Sequence, residues 1–206
     1  MKSARENASY YHGMVVGIVS DGNDPDGLGR VKVRIPRWSD SEESNWARVA
    51  TFMAGKDRGA VFLPEVDDEV IVMFEAGDPT YPVVIGSLHN GKDTPPFDNS
   101  DGANSIRLIK SRSGHVIRFD DTSGSELIEI IDKSEKNSIV IDSANNVVTI
   151  STGADVEVSA PDGSFSVEAQ EIKLKASGDC KITADGDIKI ESSGNMDLSG
   201  SEINLN

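Results

Sequence analysis

The sequence predicts an all-β chain, with a small closed barrel first and a repetitive, intertwined β-needle after it. Three observations carry that reading. Residues 10–90 hold five or six short strand-like runs separated by clusters of turn formers. No segment shows a capped 3.6-residue apolar period of the kind that marks helices. From about residue 138 onward the chain becomes an eight-residue repeat.

The barrel strands follow in order. Residues 10–19 alternate loosely and stop at Ser20-Asp21-Gly22-Asn23-Asp24-Pro25-Asp26-Gly27, where nearly every residue favours a turn. Arg30-Val31-Lys32-Val33-Arg34-Ile35 alternates with period two, as a half-buried strand does. Residues 46–51, 61–64, 69–75 and 82–86 complete the set. So many short strands in about 80 residues favour closure, because a closed sheet has no exposed edge. Residues 91–104, GKDTPPFDNSDGAN, read as a linker.

The repeat is anchored by Gly178, Gly186 and Gly194, each followed by Asp179, Asp187 or Asn195. Two residues after each glycine comes an apolar residue, then a skipped position, then a second apolar: Cys180/Ile182, Ile188/Ile190, Met196/Leu198. The pairs Ile172/Leu174, Val156/Val158 and Val148/Ile150 are in phase with them; Phe165/Val167 comes one position late and Ile203/Leu205 one early. Residues i and i+2 of a strand share a face, and Gly-Asp or Gly-Asn tolerates the left-handed dihedrals of a corner. Each octad is therefore a strand of three or four residues with two inward side chains. Alone it buries almost nothing, so stacked neighbours must complete the core. A single chain could wind into a solenoid with very short sides. Three chains wrapped together give each strand hydrogen-bonded neighbours from other subunits.

Composition sets limits on function. Of 206 residues, 35 are Asp or Glu and 20 Lys or Arg, a formal net charge of −15. That balance is wrong for binding bare nucleic acid, whose phosphates call for cations, or for an anionic membrane surface. Aromatics at 5% are few for two conventional cores. The single cysteine, Cys180, excludes an intrachain disulfide and a multi-thiolate zinc site. The first residues, MKSARENASYY, hold no apolar run, so no secretory signal is read and synthesis in the cytosol is expected. The repeat from Asp142 onward carries 12 Asp and Glu against 4 Lys, a charged surface that keeps a strand-rich object soluble.

Gly13-Met14-Val15-Val16-Gly17, Gly27-Leu28-Gly29-Arg30-Val31-Lys32-Val33, Trp46-Ala47-Arg48-Val49 and Phe62-Leu63-Pro64-Glu65-Val66-Asp67-Asp68-Glu69-Val70 occur in one order with two further stretches. These are Phe74-Glu75-Ala76-Gly77-Asp78-Pro79 and Tyr81-Pro82-Val83-Val84-Ile85-Gly86-Ser87-Leu88. Together they resemble the OB-fold domain of the central spike proteins of contractile injection systems: contractile-phage baseplate spikes, VgrG proteins of type VI secretion and phage-tail-like particles. The octads resemble the triple-stranded β-helix that follows that domain. The resemblance implies four segments: an N-terminal arm, 1–12; an OB-fold barrel, 13–90; a linker, 91–104; and a β-helical spike, 105–206, with octads clearest from 138. It implies a homotrimer that punctures the target cell envelope on sheath contraction, localised to the baseplate of a phage tail or injection particle. A hub or tail-tube protein is expected at the barrel end. With no histidine after His115, the iron-binding tip of some relatives is missing, and a PAAR-like tip protein is expected at the C-terminal end. The linker has no room for the lysozyme domain that some phage spikes insert.

No residue is assigned to chemistry: no catalytic site, cofactor or metal is expected. His12, His89 and His115 lack ligand spacing, and no serine sits in a Gly-x-Ser-x-Gly elbow. Asp67, Asp68 and Glu69 form a carboxylate cluster at a turn-to-strand junction. Asp24, Asp26 and Gly27 lack the spacing of a calcium loop. Trp46 is expected in the barrel core, Trp38 there or against a partner, and Cys180 as a small inward filler, where three copies could also form interchain links. The rival reading is an OB-fold binding module on a self-associating β-solenoid stalk. An enzyme, such as a wall hydrolase, would need a catalytic constellation that the sequence does not supply.

Overall fold

The computed structural model describes residues 11–204, and the chain divides into two compact units, Met1–Asp155 and Val156–Asn206. Most of the arm, 1–10, and Leu205 of the last apolar pair lie outside the described residues.

The first unit opens with a five-stranded sheet. Its strands are β1 (Val15–Asp21), β2 (Lys32–Arg34), β3 (Arg48–Val49), β6 (Glu69–Phe74) and β7 (Pro82–Ser87), in the order β2-β1-β6-β7-β3. All neighbours are antiparallel except β3 and β7, which run parallel. The two outer strands meet at a Val31–Ala47 bridge, where each N–H donates to the other's carbonyl at 3.0 and 2.7 Å. That bridge closes the sheet into a barrel. The alternating side chains of 30–35 fulfil their pattern: Val31, Val33 and Ile35 are buried with Val19, Ala47, Val70, Val72, Phe74 and Val84. Gly17 sits where three strands crowd together. A Cβ there would lie 3.1 Å from Val72 Cγ2 and 3.3 Å from the Arg34 carbonyl oxygen.

Two local expectations change. Residues 61–64 form no strand: Val61 and Phe62 are 78% and 62% exposed, and Pro64 offers no N–H to a ladder. Just before them lies an unforeseen two-residue hairpin, β4 (Ala54–Gly55) with β5 (Arg58–Gly59), turned by Asp57 at φ 54°.

A second five-stranded sheet follows. It is an antiparallel meander of β8 (Ile106–Lys110), β9 (Val116–Asp120), β10 (Leu127–Ile131), β11 (Ser138–Asp142) and β12 (Val147–Ser151). Thus within the stretch read as a spike, 106–151 pair with one another inside one chain, and the octad pair Val148/Ile150 lies in the edge strand β12. Arg118 and Glu129 face each other across β9 and β10 in an ion pair whose carboxylate side chain is almost wholly enclosed.

The second unit is built differently. Among its described residues, 156–204, no strand ladder forms within the chain, and turns and bends alternate with stretches of no regular secondary structure. Bends at 177–178, 185–186 and 193–194 keep the eight-residue spacing of the glycines.

Candidate functional site

The meander has two unlike faces. Its register places Ile109, Ile117, Ile130, Ile139 and Ile150 in one row across all five strands. Beside it runs Arg107, Phe119, Ile128, Ile141 and Val148. Both rows lie on one face, because i and i+2 share a side of a strand. Their nine apolar members are between 37% and 66% exposed, from Ile128 to Ile150. Contiguous exposed apolar surface of this extent marks an interaction site rather than ordinary surface scatter. The sequence signal was the i, i+2 apolar pairs at 117/119, 128/130 and 139/141, but only the register shows that they align.

The octads continue this character. Ile172/Leu174, Ile188/Ile190 and Met196/Leu198 all project into solvent, Leu174 at 82% exposure, and Cys180 is exposed with them. The backbone donors and acceptors between the bends have no ladder partner among the described residues. The segments between the bends therefore present both peptide groups outside any ladder and apolar side chains, the two things an added strand satisfies.

The residues considered for chemistry are absorbed by local structure. The Asp24 side chain, 4% exposed, receives Arg30 Nε at 2.9 Å, Arg30 Nη2 at 2.6 Å and the N–H groups of Asp26, Leu28 and Arg30. The Arg30 hydrogen bonds hold the Asp24 carboxyl far below the usual carboxylate range, and Asp24 in turn raises Arg30. The Arg30 guanidinium thus bridges the carboxylates of Asp24 and Asp26. Asp68 Oδ2 accepts the Glu65 N–H at 2.8 Å, Asp67 turns the chain at φ 75°, and Glu69 Oε2 accepts from Asn90 Nδ2 at 3.0 Å. Of the three carboxylates, Asp68 closes the turn, Asp67 lies 3.9 Å from Arg34 Nη2 and Glu69 ties β6 to the loop after β7. His115 Nδ1 accepts the Lys133 N–H at 3.3 Å between two hairpin turns, while His12 and His89 are exposed. Among the described residues no three His, Cys, Asp or Glu gather as a metal site, and no helix is long and apolar enough to cross a membrane. Trp38 stacks on Phe74 at 5.2 Å and touches Tyr11 at 4.5 Å, closing one end of the barrel. Trp46 lies half-buried beneath Arg30 and Lys32 rather than in the core, with the cations 5.9 and 5.4 Å from its ring.

A five-stranded barrel with these loops can be compared with known domains. Residues 15–89 match the type VI secretion system/phage-baseplate injector OB domain. That match takes in all five strands of the barrel. Beyond it, the type VI secretion system spike protein VgrG1a of Pseudomonas aeruginosa is 32% identical over 145 residues, 64% of this chain and 22% of its own length. VgrG1b of the same organism is 34% identical over 137 residues, 60% of this chain and 18% of that protein. The spike protein VgrG3 of Vibrio cholerae is 36% identical over 111 residues, 50% of this chain and 11% of that protein. The chain is similar to VgrG spikes, and the resemblance read from its strand motifs holds. It spans about a fifth of the length of the first two relatives and about a tenth of the third. In all three the match extends beyond the 75 or so residues of the injector OB domain.

Proposed function

We propose that this chain is a structural, non-enzymatic subunit of the central spike of a contractile injection machine. Three copies assemble through their C-terminal regions into an intertwined triple-stranded β-helix, and the injector OB domains cluster at the blunt end beneath a hub or tail tube. One observation carries the reading. The octad segment holds its corners at an eight-residue spacing, yet leaves its apolar pairs in solvent and its strands unpaired. Such a segment reaches a free-energy minimum only when other strands of the same period cover it, since unburied apolar surface contributes nothing against the entropy of ordering the chain.

Assembly sets each extended strand at about 4.8 Å from its neighbours and turns the paired apolar residues toward a dry axis. A continuous ladder of this kind resists local opening, because each strand is held on both edges. Sheath contraction then drives the prism through a cell envelope, with mechanical stiffness as its working property. A PAAR-like protein at the far end supplies the point. The meander extends the same logic: its apolar face covers the equivalent faces of the other copies, and Val148/Ile150 belong to that face and to the first octad alike.

Immunogold labelling of contractile particles from the producing cell, with antibody against the injector OB domain, tests this role. Gold is expected at the baseplate end of each particle. Gold along the sheath, or particles that assemble and carry none, would refute it. Release of peptidoglycan fragments by the purified chain would refute the non-enzymatic part separately.

A further inference from the structure

Resting on the trimeric-spike reading, we propose that the out-of-phase octad at Phe165/Val167 is a register key, by which copies of this chain align along the needle. A regular repeat has an ambiguity of its own. Sliding one strand by eight residues brings Ile188/Ile190 level with Cys180/Ile182 or Met196/Leu198, so apolar still meets apolar. Only the end repeats lose contact, and the register is left weakly specified.

Phe165 and Val167 break that symmetry. In register, Phe165 meets Phe165 of the other copies. Slid by eight, it lies level with Glu157 or Lys173, the middle residues of the neighbouring octads, and Val167 lies level with Ser159 or Lys175. Side chains alternate along a strand, so these partners point outward where Phe165 points inward. A slipped copy therefore leaves Phe165 without an inward partner in its layer, or must turn a charged residue inward against the ring. Phe165 is also the only aromatic after Phe119, so no other octad offers an equivalent layer.

The backbone carries the same mark. Ahead of Phe165 the corner closes as a turn by a backbone hydrogen bond, the Gly163 N–H donating to the Ala160 carbonyl at 3.2 Å, whereas at 177–178, 185–186 and 193–194 no backbone–backbone hydrogen bond spans the bend. The bend after Val167 is a single residue, Gln170. One long corner and one short one shift this octad out of phase and restore the pairs from Ile172/Leu174 to Met196/Leu198; the terminal pair Ile203/Leu205 departs again, one position early. Such a feature stacks only on itself, and so the partner it selects is another copy of this chain in the same register.

Pulsed dipolar spectroscopy on the full chain tests the key. A nitroxide is placed at an outward octad position, using Lys181→Cys with Cys180→Ala. In register, three-fold symmetry makes all label pairs equivalent and one narrow distance is expected. The octad is then made regular by deleting Ser164, inserting one serine after Ala169 and changing Phe165→Val. This variant is expected to keep its strand content and its mass but to gain a second distance population, because a label on a slipped copy leaves the three-fold arrangement. A single narrow distance in the regular variant would overturn the proposal, since the sheet 106–151 or the terminal pair Ile203/Leu205 would then set the register without it. Phe165→Val alone, which keeps the phase, is expected to stay narrow; broadening equal to that of the regular variant would also overturn it. A parent chain with no distance at all and a monomeric mass would instead sink the spike reading itself.

Discussion

Gly17 shows how tightly one position can be set by its neighbours. It lies in β1 between β2 and β6, and even a methyl group would press on Val72 and the Arg34 carbonyl. Gly17→Val is expected to destabilise the barrel by about 1–3 kcal/mol, the usual cost of overpacking, read as a lower denaturant midpoint at unchanged slope. The carboxylates of the meander act at the same scale. Asp120, Asp132 and Asp142 stand at the strand ends, and their hydrogen bonds from Thr122, Ser134 and Asn145 lower their pKa values. A carboxyl whose folded pKa lies below its unfolded value of about 3.9 stabilises the fold above that value. That contribution is lost as pH falls through the folded pKa. Melting temperature should therefore hold steady from neutral pH down to about 5 and fall below about 4, and Asp132→Asn should flatten that fall. A melting temperature independent of pH down to pH 2 would show these bonds to be worth nothing.

Among elements, the meander face is the most exposed to test. Ile130 stands at the centre of a five-residue apolar row and is 50% exposed. Ile130→Glu should leave the barrel folded, since that core is built from other strands, but should lower the assembled mass by placing charge in a covered face. Unchanged mass at the same concentration would remove this face from the assembly. The elements also mark what was legible beforehand. β6 and β7 were readable because buried and exposed residues alternate along them. Residues 61–64 misled because an apolar run ending in proline resembles a strand, whereas tertiary pairing decides the matter. The hairpin β4–β5 was hidden, since Ala-Gly-Lys-Asp-Arg-Gly has the composition of a loop and only two residue pairs form its ladder. The meander escaped notice as a separate sheet because its strands carry apolar residues on both faces, which blurs the period.

For the whole molecule, the octad told more than composition did. The positions of Gly178, Gly186 and Gly194 foretold the bends, because glycine followed by Asp or Asn is a corner in chemical terms before it is one in space. What a single chain cannot carry in its own pattern is the identity of the strands that cover it, because hydrogen bonds between copies leave no mark on spacing. The acidic surface sets a further expectation: the needle's cohesion is apolar and backbone-bonded, so assembled mass should persist in 1 M salt, where the Debye length shrinks to about 3 Å. Dissociation by salt would point to ion pairs as the main glue.

The most direct measurement is the solution mass of the full chain by light scattering, beside a truncation ending near Gly102. The account predicts a full-length mass three times the 22.0 kDa of one chain, with the truncation falling to a monomer or a weaker trimer. A full-length protein that stays monomeric with its strand content intact would contradict it, and the octads would then have to wind as a one-chain solenoid.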